Sequence, residues 1–195
     1  MSDAPRGRDQ FARFKKMFRL LSSCYKILPL RMRINALERH RNMRGKLGIG
    51  LRYAILKSIT DSIGDNVAIF PGVYIFNPEN IVIGNNVSIQ PMTYIECGYV
   101  KGGVTIDDDV SIAHGVTIMA TTHRFDNHNE KIRDQGVDNE PVYIEENVWI
   151  GAKVAVLSGV RIGQGSVIGA GAVVNKSLEP EGVYVGVPAK RVKDR

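Results

Sequence analysis

An aliphatic residue recurs every six positions from Ile63 to near the C-terminus, and a glycine, asparagine or aspartate often follows it. The repeat is visible in Ile63-Gly64-Asp65-Asn66-Val67-Ala68, in Ile83-Gly84-Asn85-Asn86-Val87-Ser88 and in Ile162-Gly163-Gln164-Gly165-Ser166-Val167. A short fixed period limits the possible folds strongly, because it predicts one structural unit repeated along the chain. Three hexads make a turn of eighteen residues, and the predicted turns are 63–80, 83–100, 106–123, 144–161 and 162–179.

Each hexad combines a branched aliphatic residue with turn-forming residues, which favours a short strand followed by a bend. Glycine, asparagine and aspartate adopt left-handed bends at little cost. Three bends close a triangle, and stacked triangles pair their strands in parallel sheets about 4.8 Å apart. The sequence therefore predicts an all-β fold, a parallel β-helix over residues 61–180, with an N-terminal arm at 1–60 and a C-terminal tail at 181–195. The hexad pattern alone does not determine the hand of the coil.

The N-terminal arm differs from the coil in charge. Residues 1–60 contain 15 Lys and Arg against three acidic residues, a net charge of +12, whereas the remainder carries −6. Apolar residues at helical spacing predict a helix that Pro29 should end: they are Phe11, Phe14, Phe18, Leu21, Tyr25 and Leu28. A second apolar stretch, residues 51–59, is expected to lead into the first coil.

The basic arm has two open interpretations. It could cap the end of the β-helix, as solenoid ends require, or lie on an anionic membrane face with aromatic residues on one side and cations on the other. Nucleic acid is not expected as a partner, because no base-reading fold accompanies the charge.

The cysteines and the hydropathy predict a compartment. Cys24 and Cys97 lie far apart and do not form a disulfide framework, so free thiols are expected. The longest uncharged stretch near the start, residues 20–25, is too short for a membrane span or a signal peptide. We expect a cytoplasmic protein, with peripheral contact at the inner face of the cell membrane as an option.

The hexad pattern breaks after His123. The next eighteen residues, 124–141, are largely polar and cannot fill a core, so they predict an excursion loop that leaves the wall of the coil. A histidine at the rim of a rigid wall, beside such a loop, suits a general base. Of the other histidines, His114 falls at a bend, His128 in the loop and His40 in the arm. His114 and His123 lack the spacing of a metal-binding pair, and no metal is predicted.

Several segments together resemble the hexapeptide-repeat acyltransferases, most closely the galactoside/maltose O-acetyltransferase branch. They are Thr121-Thr122-His123 with its loop, Val148-Trp149-Ile150-Gly151, residues 167–174 and Gly186-Val187-Pro188-Ala189. The resemblance extends from about Ile63 to Lys193. It implies a left-handed β-helix, a homotrimer with active sites between neighbouring subunits, acetyl-CoA as donor and a hydroxyl group as acceptor.

The resemblance also implies roles for single residues. His123 matches the catalytic base, and Ala152 matches a position whose backbone N–H lies at the thioester, as an oxyanion donor. The positions that match the donor groove are Trp149, Ala152, Ala170, Asn175, Lys176, Lys190 and Lys193.

The acceptor side departs from the family's pattern. Gln90 aligns with an asparagine that contacts the acceptor, and Glu96 is the only carboxylate near Gly98, where the family has an aspartate. Thr122, which precedes the base, is the third acceptor-binding candidate. These departures predict an acceptor other than simple galactosides or maltose.

Together these features predict an acetyl-CoA-dependent O-acetyltransferase that acts on a sugar hydroxyl. Residues 51–73 resemble bacterial surface-polysaccharide acetyltransferases, which suggests a role in the synthesis of lipopolysaccharide, O-antigen or capsule. The alternatives are an N-acetyltransferase acting on a nucleotide-linked amino sugar, a metal-dependent hydrase on the same coil, and a non-enzymatic trimeric scaffold with the arm as adaptor.

Overall fold

The computed structural model describes residues 7–195, and residues 1–6 of the predicted arm lie outside the described part. Three helices come first: α1 (Gly7–Lys26), α2 (Leu30–Arg39) and α3 (Gly45–Ile59). The predicted N-terminal helical region is present, but it contains one more helix than the sequence pattern indicated. Helix α2 escaped prediction because it buries only Leu37 fully and so lacks a broad apolar stripe.

Helix α3 covers the open end of the first coil. Its Tyr53 hydroxyl donates to the carbonyl of Gly64 at 3.0 Å, and Lys57 Nζ donates to the carbonyl of Ile63 at 2.9 Å. Phe11 and Phe18 of α1 pack against the Tyr53 ring, with centroids 5.0 and 5.8 Å away. Burial, with the nearby charge of Asp65, raises the pKa of Tyr53 to about 12. Helices α1 and α3 thus protect the apolar end that a solenoid would otherwise expose.

Arg52 joins the helices to the coil. Its side chain is buried, with Nε donating to the carbonyl of Ile69 at 2.9 Å and Nη1 donating to the carbonyls of His40 at 3.0 Å and Met43 at 2.7 Å. The last two carbonyls follow the end of α2, where backbone acceptors need partners. One guanidinium therefore fixes the α2–α3 connection against the first coil.

The remainder of the chain winds through three parallel sheets, with strands numbered in chain order. The first sheet contains β1 (Ser62–Ile63), β4 (Ile81–Ile83), β7 (Val104–Ile106), β12 (Val142–Ile144) and β15 (Arg161–Ile162). The second contains β2 (Ala68–Ile69), β5 (Ser88–Ile89), β8 (Ser111–Ile112), β13 (Trp149–Ile150) and β16 (Val167–Ile168). The third contains β3 (Tyr74–Phe76), β6 (Tyr94–Glu96), β9 (Thr117–Met119), β14 (Ala155–Val156) and β17 (Val173–Val174).

In-register pairing stacks the aliphatic position of each hexad on that of the coil before it. In the first sheet Ile63 pairs with Ile83 and Ile83 with Ile106, and all three are buried. The same stacking runs through the other two sheets and forms one continuous core. The predicted fold class, a parallel β-helix of hexapeptide repeats, is confirmed.

Two corners of the triangular section contain most of the residues that the sequence singled out. The corner between the second and third sheets, called the 2–3 corner, contains residues 90–93, 113–116, 151–154 and 169–172. Its bend places one residue per coil in the left-handed region, including Gly115 (φ 68°), Lys153 (φ 58°) and Gly171 (φ 72°). The corner between the third and first sheets, called the 3–1 corner, contains residues 97–103, 120–141, 157–160 and 175–178.

The predicted excursion leaves the wall at the 3–1 corner as a β-hairpin. Strands β10 (Thr121–His123) and β11 (Val137–Asn139) pair antiparallel, and the short 3₁₀ helix Ile132–Asp134 lies between them. The excursion begins after Ala120 rather than after His123, because Ala120 is the last buried residue and the polar residues beyond it cannot continue the core. His123 therefore belongs to the hairpin, and its expected place on the wall is corrected. The carbonyl of Ala120 accepts the N–H of Glu140 at 2.8 Å, so the two ends of the insert meet.

Candidate active site

The His123 side chain is solvent-exposed at the end of β10, directly opposite Val137 of β11. Its imidazole makes no hydrogen bond with any residue in the described range 7–195. A nitrogen lone pair that is not already engaged is what a general base needs to accept a proton.

The Glu96 carboxylate fixes the root of the hairpin that presents His123. Oε2 accepts the Ala120 N–H at 3.2 Å and the Thr121 hydroxyl at 2.9 Å, and Oε1 accepts the Gly98 N–H at 2.9 Å. Hydrogen bonds to a charged acceptor are stronger than neutral ones. The acceptor contact expected for Glu96 remains a prediction, and these bonds give the carboxylate a positioning role as well.

Asn139 adds a second restraint that sequence reasoning missed. Its Oδ1 accepts the Tyr99 N–H at 2.7 Å, which joins β11 to the insertion between the second and third coils. Because this contact links residues 40 positions apart, no local pattern in the sequence could have indicated it. Thr122, the remaining acceptor-binding candidate in this region, is half-buried between Thr121 and His123.

We expect Glu96→Gln to lower kcat for acetyl transfer by about tenfold with little change in the KM for acetyl-CoA, because a neutral amide holds the hairpin root less firmly than a carboxylate. Steady-state kinetics measure the change, and thermal unfolding checks that the coil remains intact. Glu146→Gln, an exposed carboxylate between the first and second sheets, is the matched control. A rise confined to the KM of the acceptor would instead identify Glu96 as an acceptor ligand.

An ion pair braces the two hairpin strands beyond His123. Arg124 Nε donates to Asp138 Oδ1 at 2.6 Å, and this bond raises the pKa of Arg124. Gln135 Nε2 donates to the carbonyls of Asn127 and Glu130, both at 2.9 Å, which closes the tip of the loop. The excursion is thus an organised structure rather than an open loop, and His128 is exposed at its tip.

Ala152 lies at the 2–3 corner of the fourth coil. Its neighbours use their N–H groups within the wall, since Gly151 donates to the carbonyl of Ile168 at 2.8 Å and Lys153 to that of His114 at 3.0 Å. Within the described part of the chain, the Ala152 N–H has no acceptor. A backbone donor beside a small side chain can approach a developing oxyanion closely.

The same corner contains several other sequence-predicted positions. Ala170 lies one coil above Ala152, where the N–H of Gly171 donates to the Ala152 carbonyl at 2.8 Å. Gln90 is half-buried at this corner in the second coil. Trp149 is 54% exposed on the outer face of the second sheet, three residues before Ala152, and offers an apolar wall.

The remaining donor-groove candidates are exposed and cationic or polar. Asn175 and Lys176 follow β17 at the 3–1 corner, on the same side of the third sheet as His123.

The C-terminal tail forms β18 (Gly182–Val185) and β19 (Lys190–Asp194), an antiparallel pair at the edge of the second sheet. Lys190 and Lys193 are exposed on β19 and form no ion pair with any described residue. Arg191, by contrast, pairs with Asp194 at 2.8 Å, which raises the pKa of Arg191.

The structure thus divides the candidate residues between two corners. His123, Glu96, Thr122, Asn175 and Lys176 lie on the 3–1 side, whereas Gln90, Trp149, Ala152 and Ala170 lie on the 2–3 side. The third sheet, with strands of two or three residues, separates the two sides by about 10 Å. One chain therefore does not bring the imidazole of His123 and the N–H of Ala152 together.

Among residues 7–195, no three His, Cys, Asp or Glu side chains are grouped so that they could hold a metal ion. His114 and His123 themselves lie on opposite sides of the third sheet. Both cysteines are free thiols, as predicted, and burial raises the pKa of Cys97 far above its ordinary value.

Comparison with known proteins points to one family. The family of bacterial transferase hexapeptides (six repeats) matches residues 141–176. A galactoside O-acetyltransferase of Escherichia coli (strain K12) is 36% identical over 143 residues, which cover 73% of this chain and 68% of that enzyme.

Solved structures agree with the sequence comparison. A hexapeptide-repeat-containing acetyltransferase from Vibrio cholerae, complexed with acetyl coenzyme A, superposes with a TM-score of 0.74 at 26% identity and covers 85% of this chain and 86% of that one. A mutant N-acyltransferase from Bacillus cereus, in complex with dTDP and coenzyme A, gives 0.61 at 27% identity and covers 69% and 73% of the two chains.

Proposed function

This chain belongs to the hexapeptide-repeat acyltransferases, in the galactoside/maltose O-acetyltransferase branch, and on that premise we propose that it transfers the acetyl group of acetyl-CoA to a sugar hydroxyl of a bacterial surface polysaccharide or its precursor. The reaction class, acetyl-CoA-dependent acetyl transfer, follows from the family. The observation that carries the proposal is a pair of groups without a hydrogen-bond partner among residues 7–195. They are the His123 imidazole and the Ala152 N–H, on the two sides of the third sheet.

The proposed reaction has two steps that use these two groups: the acceptor hydroxyl adds to the thioester carbonyl, and the CoA thiolate is then eliminated. His123 accepts the proton of the acceptor hydroxyl as the oxygen attacks the thioester carbonyl, and the Ala152 N–H donates to the resulting oxyanion. Collapse of the tetrahedral intermediate forms the ester and expels the CoA thiolate, which receives from the imidazolium the proton that came from the acceptor hydroxyl. Protons and charge balance without a metal or a covalent acyl-enzyme.

The donor would lie along the 2–3 corner. The small side chains of Ala152 and Ala170 leave room for a pantetheine arm beside the backbone, and the exposed Trp149 supplies an apolar flank. Lys190 and Lys193 of the tail, which have no ion-pair partner among the described residues, are cations suited to the phosphates of CoA. Asn175 and Lys176, on the other side of the third sheet, would reach the donor held by a neighbouring chain.

The division of the site supports a homotrimer with shared active sites. In a cyclic assembly each chain can present its 3–1 corner to one neighbour and its 2–3 corner to the other. The third sheet would then face the other subunits, and its outward row is uncharged: Tyr74 and Tyr94 come first, followed by the smaller Thr117, Ala155 and Val173. Such a surface can pack closely against a copy of itself.

Mixing two inactive variants tests the shared site. We expect His123→Ala and Ala152→Leu to be inactive as homotrimers, whereas mixed trimers recover activity at about one site in three, because one interface receives the intact imidazole and the intact corner. Co-expression with two affinity tags isolates the mixed species, and acetyl transfer is followed by release of free CoA thiol. Mixed trimers as inactive as both parents would show that each chain forms its own site.

The acceptor assignment rests on the chemistry of Gln90, Glu96 and Thr122, which offer amide, carboxylate and hydroxyl groups to a polyol. The runner-up acceptor is the amino group of a nucleotide-linked amino sugar, which the similarity to the Bacillus cereus N-acyltransferase favours. A panel of matched hydroxyl and amino sugars separates the two functions, since transfer to amino sugars alone would replace O-acetylation by N-acetylation.

We include a cytoplasmic location with peripheral membrane contact in the proposal. None of the helices described between residues 7 and 195 is long and apolar enough to cross a bilayer. Support for surface contact comes from the +12 charge of residues 1–60, which attracts anionic lipid headgroups.

A further inference from the structure

Helix α1 exposes apolar side chains on the face that points away from the protein. Its packed face contains Phe11, Phe18 and Tyr25, which contact the core. About half a turn away, at helical spacing, the opposite stripe contains Met17, Leu20 and Ile27, which are 49%, 69% and 84% exposed. Exposed apolar residues grouped on one face mark an interaction surface rather than ordinary scatter.

An apolar groove adjoins this stripe. It has a volume of about 340 Å³ and lies between the end of α1 and the outer side of α2. Its lining is apolar at Leu28, Met32 and Ala36 and polar or basic at Asn35, Arg39 and His40. Leu28 lines this groove and Ile27 precedes it in the chain, so the groove lies beside the exposed stripe at the end of α1. We call the stripe and the groove together the α1–α2 face.

The charge around the α1–α2 face has one sign. Residues 11–60 contain thirteen Lys and Arg and one acidic residue, Glu38, whose carboxylate pairs with Arg41 at 3.0 Å. Arg13 and Lys16 lie on the same helical stripe as Leu20, and both are exposed. A ligand for this face must therefore bury aliphatic side chains and neutralise several cations together.

These requirements distinguish three possible ligands for the face: a second copy of the chain, nucleic acid and a lipid bilayer. A second copy of the chain that presented this same face would bring like charges together and be repelled. Nucleic acid would neutralise the charge, but base stacking uses aromatic rings, and the three residues of the exposed stripe, Met17, Leu20 and Ile27, have none. An anionic bilayer offers both an apolar interface and negative headgroups.

We propose that the α1–α2 face lies on an anionic lipid bilayer, with Leu20 and Ile27 inserted at the headgroup boundary. Helix α1 packs on α3, and α3 covers the first coil. The acceptor-side residues Gln90 and Glu96 lie in the next coil, at the same end of the stack. The donor-side Ala170 lies in the last coil, at the opposite end of the stack.

Docking would therefore turn the acceptor end toward the lipid and leave the CoA end in water. This inference rests on the proposed function and deepens it, because it names the acceptor class: a glycan anchored to a lipid at the bilayer surface.

Sedimentation with vesicles tests the docking. The full-length protein is incubated with vesicles of phosphatidylglycerol and phosphatidylcholine, or of phosphatidylcholine alone. We expect binding only to the anionic vesicles, weakened by salt, and a loss of at least about tenfold in Leu20→Glu and Ile27→Glu, which add charge where apolar contact is needed. Val192→Glu, at an exposed aliphatic residue of β19 at the opposite end of the stack, is the matched control and should bind like the parent.

Cys24 supplies a second measurement. It is exposed on the same stripe as Leu20, whereas Cys97 is buried, so an environment-sensitive thiol dye would label Cys24 alone. Anionic vesicles should shift its emission to the blue, as expected for a dye entering the interface. An unchanged spectrum together with equal sedimentation of all the variants would overturn the proposal.

Two further readouts distinguish the remaining outcomes. If Leu20→Glu and Ile27→Glu change the mass of the assembly in light scattering, the face contacts another copy of the chain and the lipid assignment is wrong. If the protein binds a DNA or RNA duplex more tightly than vesicles, nucleic acid replaces lipid as the ligand of this face. Acetyl transfer to a soluble sugar, measured without vesicles, should be equal in the parent and both variants. If the parent does not transfer acetyl to any soluble sugar, the proposed function is contradicted. If transfer is intact but the protein does not bind vesicles, only the docking proposal is contradicted.

Discussion

His123→Ala is expected to lower kcat for acetyl transfer by about 10²–10⁴-fold while the affinity for acetyl-CoA stays within about threefold of the parent. The loss follows from removing the group that accepts the acceptor's proton in the transition state. The donor affinity should be retained because the predicted donor contacts lie mainly at the 2–3 corner and in the tail, on Ala152, Ala170 and Lys190. Thiol release measures turnover, and calorimetry measures donor binding.

The fold should tolerate this change, because the His123 ring is exposed and makes no hydrogen bond to any residue that the structure describes. His128→Ala, which removes an exposed imidazole from the tip of the same excursion, is the matched control and should retain nearly the parental rate. Parental turnover in His123→Ala, with the trimer and donor binding intact, would mean that another group acts as the base.

Ala155→Arg is expected to abolish both assembly and activity. Ala155 points outward from the third sheet, between Thr117 and Val173 on the neighbouring strands. If this sheet faces the other subunits, three copies of a buried, unpaired guanidinium would meet there, and each buried charge without a partner costs several kcal/mol. The separated chains would retain the coil but could not combine His123 with Ala152. Light scattering measures the mass, and thiol release measures the activity.

Thr105→Arg provides the comparison for this prediction. Thr105 occupies the equivalent outward position on the first sheet, paired with Val82 and Tyr143. Its replacement should leave a fully active trimer, because the first sheet separates no two parts of the proposed site. If Thr105→Arg dissociated the protein and Ala155→Arg did not, the first sheet would be the interface and the proposed arrangement of subunits would be wrong.

The coil could be predicted from the sequence because a six-residue period places the same kind of residue at the same position of every coil, and in-register pairing then stacks these residues on one another. Ile63, Ile83 and Ile106 recur in the sequence and lie above one another in the first sheet. Helix α2 could not be predicted with equal ease, because it buries a single residue fully and relies on Arg52, from another helix, to satisfy the carbonyls beyond its end.

The candidate residues could be listed from the sequence, but not their arrangement. The hairpin containing His123 depends on pairing between two polar strands, so no periodic pattern of apolar residues in the sequence indicates it. The bonds from Glu96 to Ala120 and Thr121 connect backbone and side chains 24 and 25 positions apart. The division of the site between two corners follows from how strands are assigned to sheets, and only the folded chain shows it.

The meeting of Ala120 and Glu140 has an evolutionary consequence. Because these two residues are joined by one backbone hydrogen bond of 2.8 Å, the tip of the hairpin beyond His123, residues 125–136, can change in length while the coils above and below keep their pairing. Insertions whose ends meet cost little in chain entropy even when they grow longer. Diversification of acceptor choice among descendants of this gene would then proceed by exchanging this tip, while His123 and the residues on the donor side stay unaltered.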